Sequence, residues 1–216
     1  MRRGFIVIFF LFLFIFFSLS DEKTEKIIFK YGLFVKNEKN IEMSYDFKGY
    51  LKLTFGDFFK IYIEPISNVY IYLYLLDSDG NLLLIFPENF DFFKNDYKMS
   101  KVFLEPDDNE WFSLDEKSGE EEFHLIASKE RQTNLENLTI KYQESIDKKK
   151  KNDEIEKLKI SIIEEITNIK KLNSPNTVFA EKPSALSGTT KGVKKDKYVQ
   201  EIITDNTYVK TFKIQH

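Results

Sequence analysis

Asp57-Phe-Phe-Lys-Ile-Tyr-Ile-Glu-Pro65, Ser67-Asn-Val-Tyr-Ile-Tyr-Leu-Tyr-Leu-Leu76, Asp77-Ser-Asp-Gly-Asn81 and Leu82-Leu-Leu-Ile-Phe-Pro87 together decide how this chain folds. Phe59, Ile61 and Ile63 alternate with Lys60, Tyr62 and Glu64, the two-residue period of a strand with one wet face. Pro65 cannot donate to a ladder, so that strand ends there or lies at an edge. Val69 to Leu76 is broken only by tyrosine hydroxyls, which fits a strand covered on both faces. Tyr70, Tyr72 and Tyr74 share one side; Val69, Ile71, Leu73 and Leu75 share the other. Asp77-Ser-Asp-Gly80 is a turn, because Asp bonds the backbone two residues on and glycine accepts positive φ. Leu82 to Phe86 then returns as the second arm of a hairpin.

These residues resemble a bacterial domain-of-unknown-function family, number 4384 (DUF4384). The likeness is carried by Asn68 to Asn81 followed by the Leu-rich strand ending Ile85-Phe-Pro-Glu-Asn89. Gly56-Asp57 before it and Gly119-Glu120 leading into Phe123-His-Leu-Ile-Ala-Ser128 after it agree in order and spacing. The resemblance covers roughly residues 55–129. It implies an exported, mostly β domain and brings no catalytic residues with it.

The rest of the chain extends this picture. Ile27–Val35, interrupted by Gly32, Ile41–Phe47 and Tyr50–Phe55 read as earlier strands, with Lys48-Gly49 a turn. Lys101–Leu104, a strand beginning near Trp111-Phe112, and Phe123–Ser128 follow. Eight or nine short strands punctuated by turn residues predict a β-sandwich or partly open barrel. Arg131–Tyr142 reads as a short helix. From Asp153, apolar residues at Ile155, Leu158, Ile162, Ile166, Ile169 and Leu172 mark an amphipathic helix. Asn152 or Asp153 can cap it, and Asn173-Ser-Pro175 stops it. Its stripe packs on the β domain or, alternatively, drives self-association as a coiled coil. Ser174–Gly192 is small and polar, a surface loop. Tyr198–Ile203 and Tyr208–Ile214 alternate again and are expected to return to the sheet. The fold class is therefore mainly β with a helical extension, α+β overall. Its parts are 1–20 leader, 21–130 β domain, 131–175 helical extension, 176–197 loop and 198–216 returning strands.

Arg2 and Arg3, the apolar run Phe5–Phe17 and Ser18-Leu-Ser20 have the form of a secretory signal peptide cleaved after Ser20, with an uncleaved membrane anchor as the alternative. A periplasmic or secreted location follows. The sequence has no Cys, so neither disulfides nor thiolate metal sites are used. A formal charge of −3 excludes a strongly basic nucleic-acid binder as the default. Residues 21–128 carry 12 basic and 22 acidic side chains, whereas residues 129–216 carry 18 and 13. The halves thus differ in sign, through packing of a basic tail on an acidic domain or through different partners.

Little here points to chemistry. The histidines are His124, flanked by Phe123 and Leu125, and His216, so a histidine-based triad is not expected. Asp77, Asp79 and Asn81 resemble the start of a calcium loop, but Gly80 precedes the third oxygen and no bidentate glutamate follows. No phosphate loop or zinc pattern is present. Catalytic, cofactor and metal residues are therefore assigned to none. Phe90, Phe92 and Phe93 plug the end of the sheet or, with Trp111, form an aromatic surface for a partner. Expected functions are an exported non-enzymatic module binding a protein or envelope component, an assembly subunit oligomerising through helix 153–172, or a hydrolase of envelope glycans using the carboxylates between Glu105 and Glu122.

Overall fold

The structure, a computed structural model, describes residues 25–47, 50–107, 109–114, 117–174, 178–186 and 198–216. The leader 1–20, the Lys48-Gly49 turn, Pro175 and all of 187–197 lie outside the described residues. In chain order the elements are β1 (Ile27–Lys36), β2 (Glu42–Ser44), β3 (Leu51–Lys52), β4 (Phe58–Pro65), β5 (Tyr70–Leu76), β6 (Leu82–Phe86), α1 (Phe92–Asn95), β7 (Phe103–Glu105), β8 (Phe112–Ser113), β9 (Glu120–Ser128), α2 (Thr133–Asp147), α3 (Asn152–Leu172), β10 (Val178–Ala185), β11 (Tyr198–Thr204) and β12 (Tyr208–Gln215).

The strands form two open sheets, so the protein is a sandwich and not a closed barrel. One sheet runs β10-β11-β1-β4-β7, with β2 also paired to β1 and β8 to β4; the other runs β3-β12-β9-β5-β6. Between them the inward residues of alternating strands meet. Phe29, Leu33, Ile61 and Ile63 from the first sheet pack with Ile71, Leu73, Phe123, Leu125 and Ile214 from the second. Phe123 stacks on Phe212 with centroids 4.9 Å apart, and Phe59 meets Phe123 edge-on at 5.9 Å.

The tyrosine side of β5 faces the other way. Tyr72 and Tyr74, with Ile126 and Val209, are covered by Leu135 and Tyr142 of α2 and Ile162, Ile166 and Ile169 of α3. The molecule thus has three layers, two sheets and a helical cover. The apolar stripe of α3 is used on the sheet, and only its last member, Leu172, is left 85% exposed. The outer face of the seven-stranded sheet carries a small cluster of Phe34, Tyr62 and Val199 beside a buried ion pair, Lys30 to Glu64 at 3.5 Å.

The hairpin forms as its residues dictate. The Asp77 carboxylate accepts hydrogen bonds from the backbone N–H of Asp79 at 3.0 Å and of Asn81 at 2.7 Å, and Gly80 takes φ +81°. Turn chemistry therefore accounts for Asp77, while the Asp79 carboxylate pairs with Lys117.

Several expectations change. Gly32 does not interrupt β1. A Cβ there would lie 2.8 Å from Val199 Cγ1, so the glycine lets β11 approach closely. The strands expected at 41–47 and 50–55 shrink to β2 and β3, and the helix expected at 131–142 extends to Asp147. At the start of α3 the N-cap is Lys151, with no side-chain cap bond from Asn152 or Asp153; Asp153 and Glu154 instead sit in the first turn, where the helix dipole favours them. Among the described residues nine strands precede residue 130, but a further one, β10, occupies 178–185, inside the expected loop. It lies at the sheet margin, where Pro183 costs no ladder bond. The terminal strands do return, and they enter the interior: β11 lies between β10 and β1, and β12 between β3 and β9.

Candidate functional site

Two features distinguish the side of the sandwich bounded by β6 and β7. The first is an open cleft of about 660 Å³. Its floor is aromatic, with Phe86, Phe92 and Phe103, because these rings close the sandwich end: Phe92 packs against Phe86 at 5.7 Å and Phe103 at 5.3 Å. Its wall is acidic, with Glu88 after β6, Glu105 at the end of β7, and Asp107 and Glu110 beyond. The Asp107 loop is fastened when Lys60 Nζ donates to the Asp107 carbonyl at 2.8 Å. Burial, then the neighbouring charges of Asp107 and Glu88, push the Glu105 carboxyl up to about 7. Near neutral pH this group can hold or release a proton, which ordinary surface carboxylates cannot.

The second feature is the edge itself. β6 ends the five-stranded sheet, and its Leu-Leu-Leu-Ile-Phe sequence carries no charge. Leu83 is 45% exposed. Beside it a groove of about 150 Å³ runs between β6 and the helices, lined by Leu83, Leu84, Gln143, Ile146 and Ile162. The backbone N–H of Leu82 donates to the Tyr142 hydroxyl at 3.4 Å, so α2 ties down one end of this edge. The margin of the other sheet, β10, presents Glu181, Lys182 and Pro183 instead, residues that discourage strand addition.

The four aromatic residues picked out from the sequence do not form one surface. Phe90 is 7% exposed and packs on Tyr72 at 6.2 Å. Phe93 meets Tyr70 and Tyr72 edge-on, both at 5.2 Å, beneath the Arg131 guanidinium at 5.5 Å. Phe92 alone lines the cleft. Trp111 belongs to the outer face of the other sheet, held between the Lys36 and Lys60 ammonium groups at 4.6 and 5.3 Å. Phe92 thus packs with the core between the sheets, Phe90 and Phe93 with the cluster beneath the helices, and Trp111 with the outer cluster of the other sheet. The cleft was only dimly legible: the acidic run after Glu105 was visible, but nothing in the sequence joins Glu88 to it.

A polar ridge binds the helices to the sheet. Tyr72 Oη donates to Glu136 Oε1 at 2.6 Å, and Glu136 also accepts from Arg131 Nη2 at 2.5 Å and Nε at 2.9 Å. Thr139 Oγ1 donates to the Leu135 carbonyl at 2.8 Å, which leaves it to accept from Tyr74 Oη at 2.9 Å. Burial raises both tyrosine pKa values, so the hydroxyls stay neutral donors. Among the described residues, no group of three or more His, Asp or Glu side chains is placed to hold a metal, and no helix is long and apolar enough to cross a membrane.

Fold and site together define a three-layer β-sandwich with helices covering one sheet and an acidic cleft at an open side. Within it, residues 52–131 match the family described as Domain of unknown function (DUF4384). The matched stretch runs from β3 to Arg131, whose guanidinium engages Glu136 just outside it. No curated protein and no solved structure matches the chain.

Proposed function

We propose that this protein is an exported, non-enzymatic β-rich module that binds a protein partner by adding a strand to the β6 edge. The observation that carries the reading is the uncharged Leu82–Phe86 edge with Leu83 uncovered beside an apolar groove. Main-chain pairing supplies affinity in such an arrangement, and a flanking pocket for alternate side chains supplies selectivity. Export rests on the form of residues 1–20, and an envelope or extracellular partner follows from it. Cross-linking in the native envelope, comparing the natural chain with Leu83→Lys, tests this. A captured protein lost in the variant supports the reading; identical capture by both chains overturns it.

A second reading has its own support. A carboxyl held near neutrality in a cleft with Asp107 is suited to general-acid work on envelope glycans. Release of reducing sugar from purified envelope polysaccharide, absent with Glu105→Gln, would favour it. No release by the natural chain removes it.

A further inference from the structure

On the helix-facing side of β9, two positions before Ile126, stands His124. The residue is 7% exposed, and its Nε2 is the one buried side-chain nitrogen or oxygen without a hydrogen-bond partner among the described residues. Glu122 Oε1 lies 3.2 Å from Nε2, yet out of line for a hydrogen bond. On the other ring nitrogen, Nδ1 faces the Thr211 hydroxyl at 3.4 Å. Tyr74 of β5 and Thr211 of β12 are its cross-strand neighbours. The Tyr74 hydroxyl is engaged by Thr139, so it offers the ring nothing further.

The charges around this ring matter more than its contacts. Lys213 of β12 binds both Glu120 at 2.5 Å and Glu122 at 2.9 Å, so the nearest carboxylate is already shared with a cation. Lys170, in the last turn of α3, adds a second positive charge facing the histidine. A neutral imidazole tolerates this setting. An imidazolium needs an acceptor on each nitrogen or water. Nδ1 has the Thr211 hydroxyl, but Nε2 has only a misaligned carboxylate already shared with Lys213, with Lys170 adding positive charge nearby. At 7% exposure the docked ring has little water to make up the difference.

We propose that His124 is an acid-sensitive latch: its protonation releases the carboxyl-terminal half of α3 from the sheet. The linkage has a definite sign. Burial first, and then Lys170 and Lys213, hold the docked imidazole below the ordinary value of 6.5, against the pull of Glu122. The ring uncovered by a lifted α3 protonates at that ordinary value. Docking of α3 is therefore complete above about pH 6.5 and weakens as pH falls below it. Release uncovers Ile162, Ile166 and Ile169 together with the surface of β9 and β12 beneath them.

Hydrogen–deuterium exchange of the full chain at pH 7.5 and 5.0, corrected for intrinsic rates, tests the latch. The expected result is that protection of residues 162–172 drops about threefold or more at the lower pH while β1 and β4 keep theirs. His124→Phe should abolish that drop. Should His124→Phe fail to fold, Lys170→Gln, an exposed substitution, must shrink the drop instead. Equal protection of α3 at both pH values overturns the proposal, and so does an undiminished drop in a folded His124→Phe or in Lys170→Gln. These outcomes are independent of partner capture at β6.

Discussion

The two faces of the β5–β9 pair belong to the same strands and are both dry, yet they are held by different physics. The inner face, with Ile71, Leu73, Phe123 and Leu125, meets the opposite sheet through packing alone. The outer face, with Tyr72, Tyr74 and His124, meets the helices through hydroxyls and charges as well as through Ile126. Packing rewards volume and forgives identity. A buried hydrogen-bonded ridge rewards one arrangement and penalises every other, because a donor left without its acceptor costs more than the bond returned. The inner interface thus gives the molecule its stability, while the outer one fixes where the helices sit and is the one that can be undone selectively.

That contrast can be broken first at its strongest point. Phe123→Ala removes a ring that stacks on Phe212 and meets Phe59, and should cost about 3–5 kcal/mol in urea unfolding followed by circular dichroism. A loss below about 1 kcal/mol would mean that the inner face is not the principal source of stability. Next, Glu136→Ala strips Tyr72 and Arg131 of their shared acceptor and should cost about 2–3 kcal/mol, with exchange protection of α2 falling more than that of β1. Equal loss across both elements would erase the distinction between the faces.

Smaller effects sharpen it. Tyr74→Phe keeps the ring and deletes one donor, leaving Thr139 bonded to Leu135, so about 1 kcal/mol is expected by the same unfolding measurement. Glu105→Gln tests the cleft, which lies outside both faces. The folded chain holds the Glu105 proton more tightly than the unfolded one, so ionisation costs stability as pH rises from the ordinary carboxylate range through about 7. The variant should match the natural chain at pH 4 and exceed it by about 1 kcal/mol at pH 8, a figure kept low because the side chain is partly open to water. Thermal melts at the two pH values decide it, and an identical difference at both would show that burial of the charge is not the cause.

The chain announces some of this before any coordinates. Alternating tyrosines at 70, 72 and 74 disclose a strand with two covered faces, and steps of three and four from Ile155 to Leu172 disclose a helix with one. Both signals are periodic and local. What stays silent is relational. Val178–Ala185 contains glutamate, lysine, proline and serine, the composition of a loop, and only its place at a sheet margin makes those residues suitable for a strand. Gly32 reads as a break until β11 is known to run beside it. The cleft brings Glu88 to Glu105 from the ends of edge strands of two different sheets, and the burial of His124 Nε2 without a hydrogen-bond partner depends on what the fold packs around it. Residue type tells what a side chain prefers; it does not tell which distant segment will answer that preference.

The placement of β11 and β12 has a temporal consequence. Each of these strands pairs with a neighbour made much earlier, β11 with β1 and β12 with β9. A growing polypeptide therefore cannot complete either sheet until residues 198–215 have been synthesised. Contacts of such long sequence separation form slowly. Until then β1 and β9 each lack the strand that pairs with them in the finished sheets.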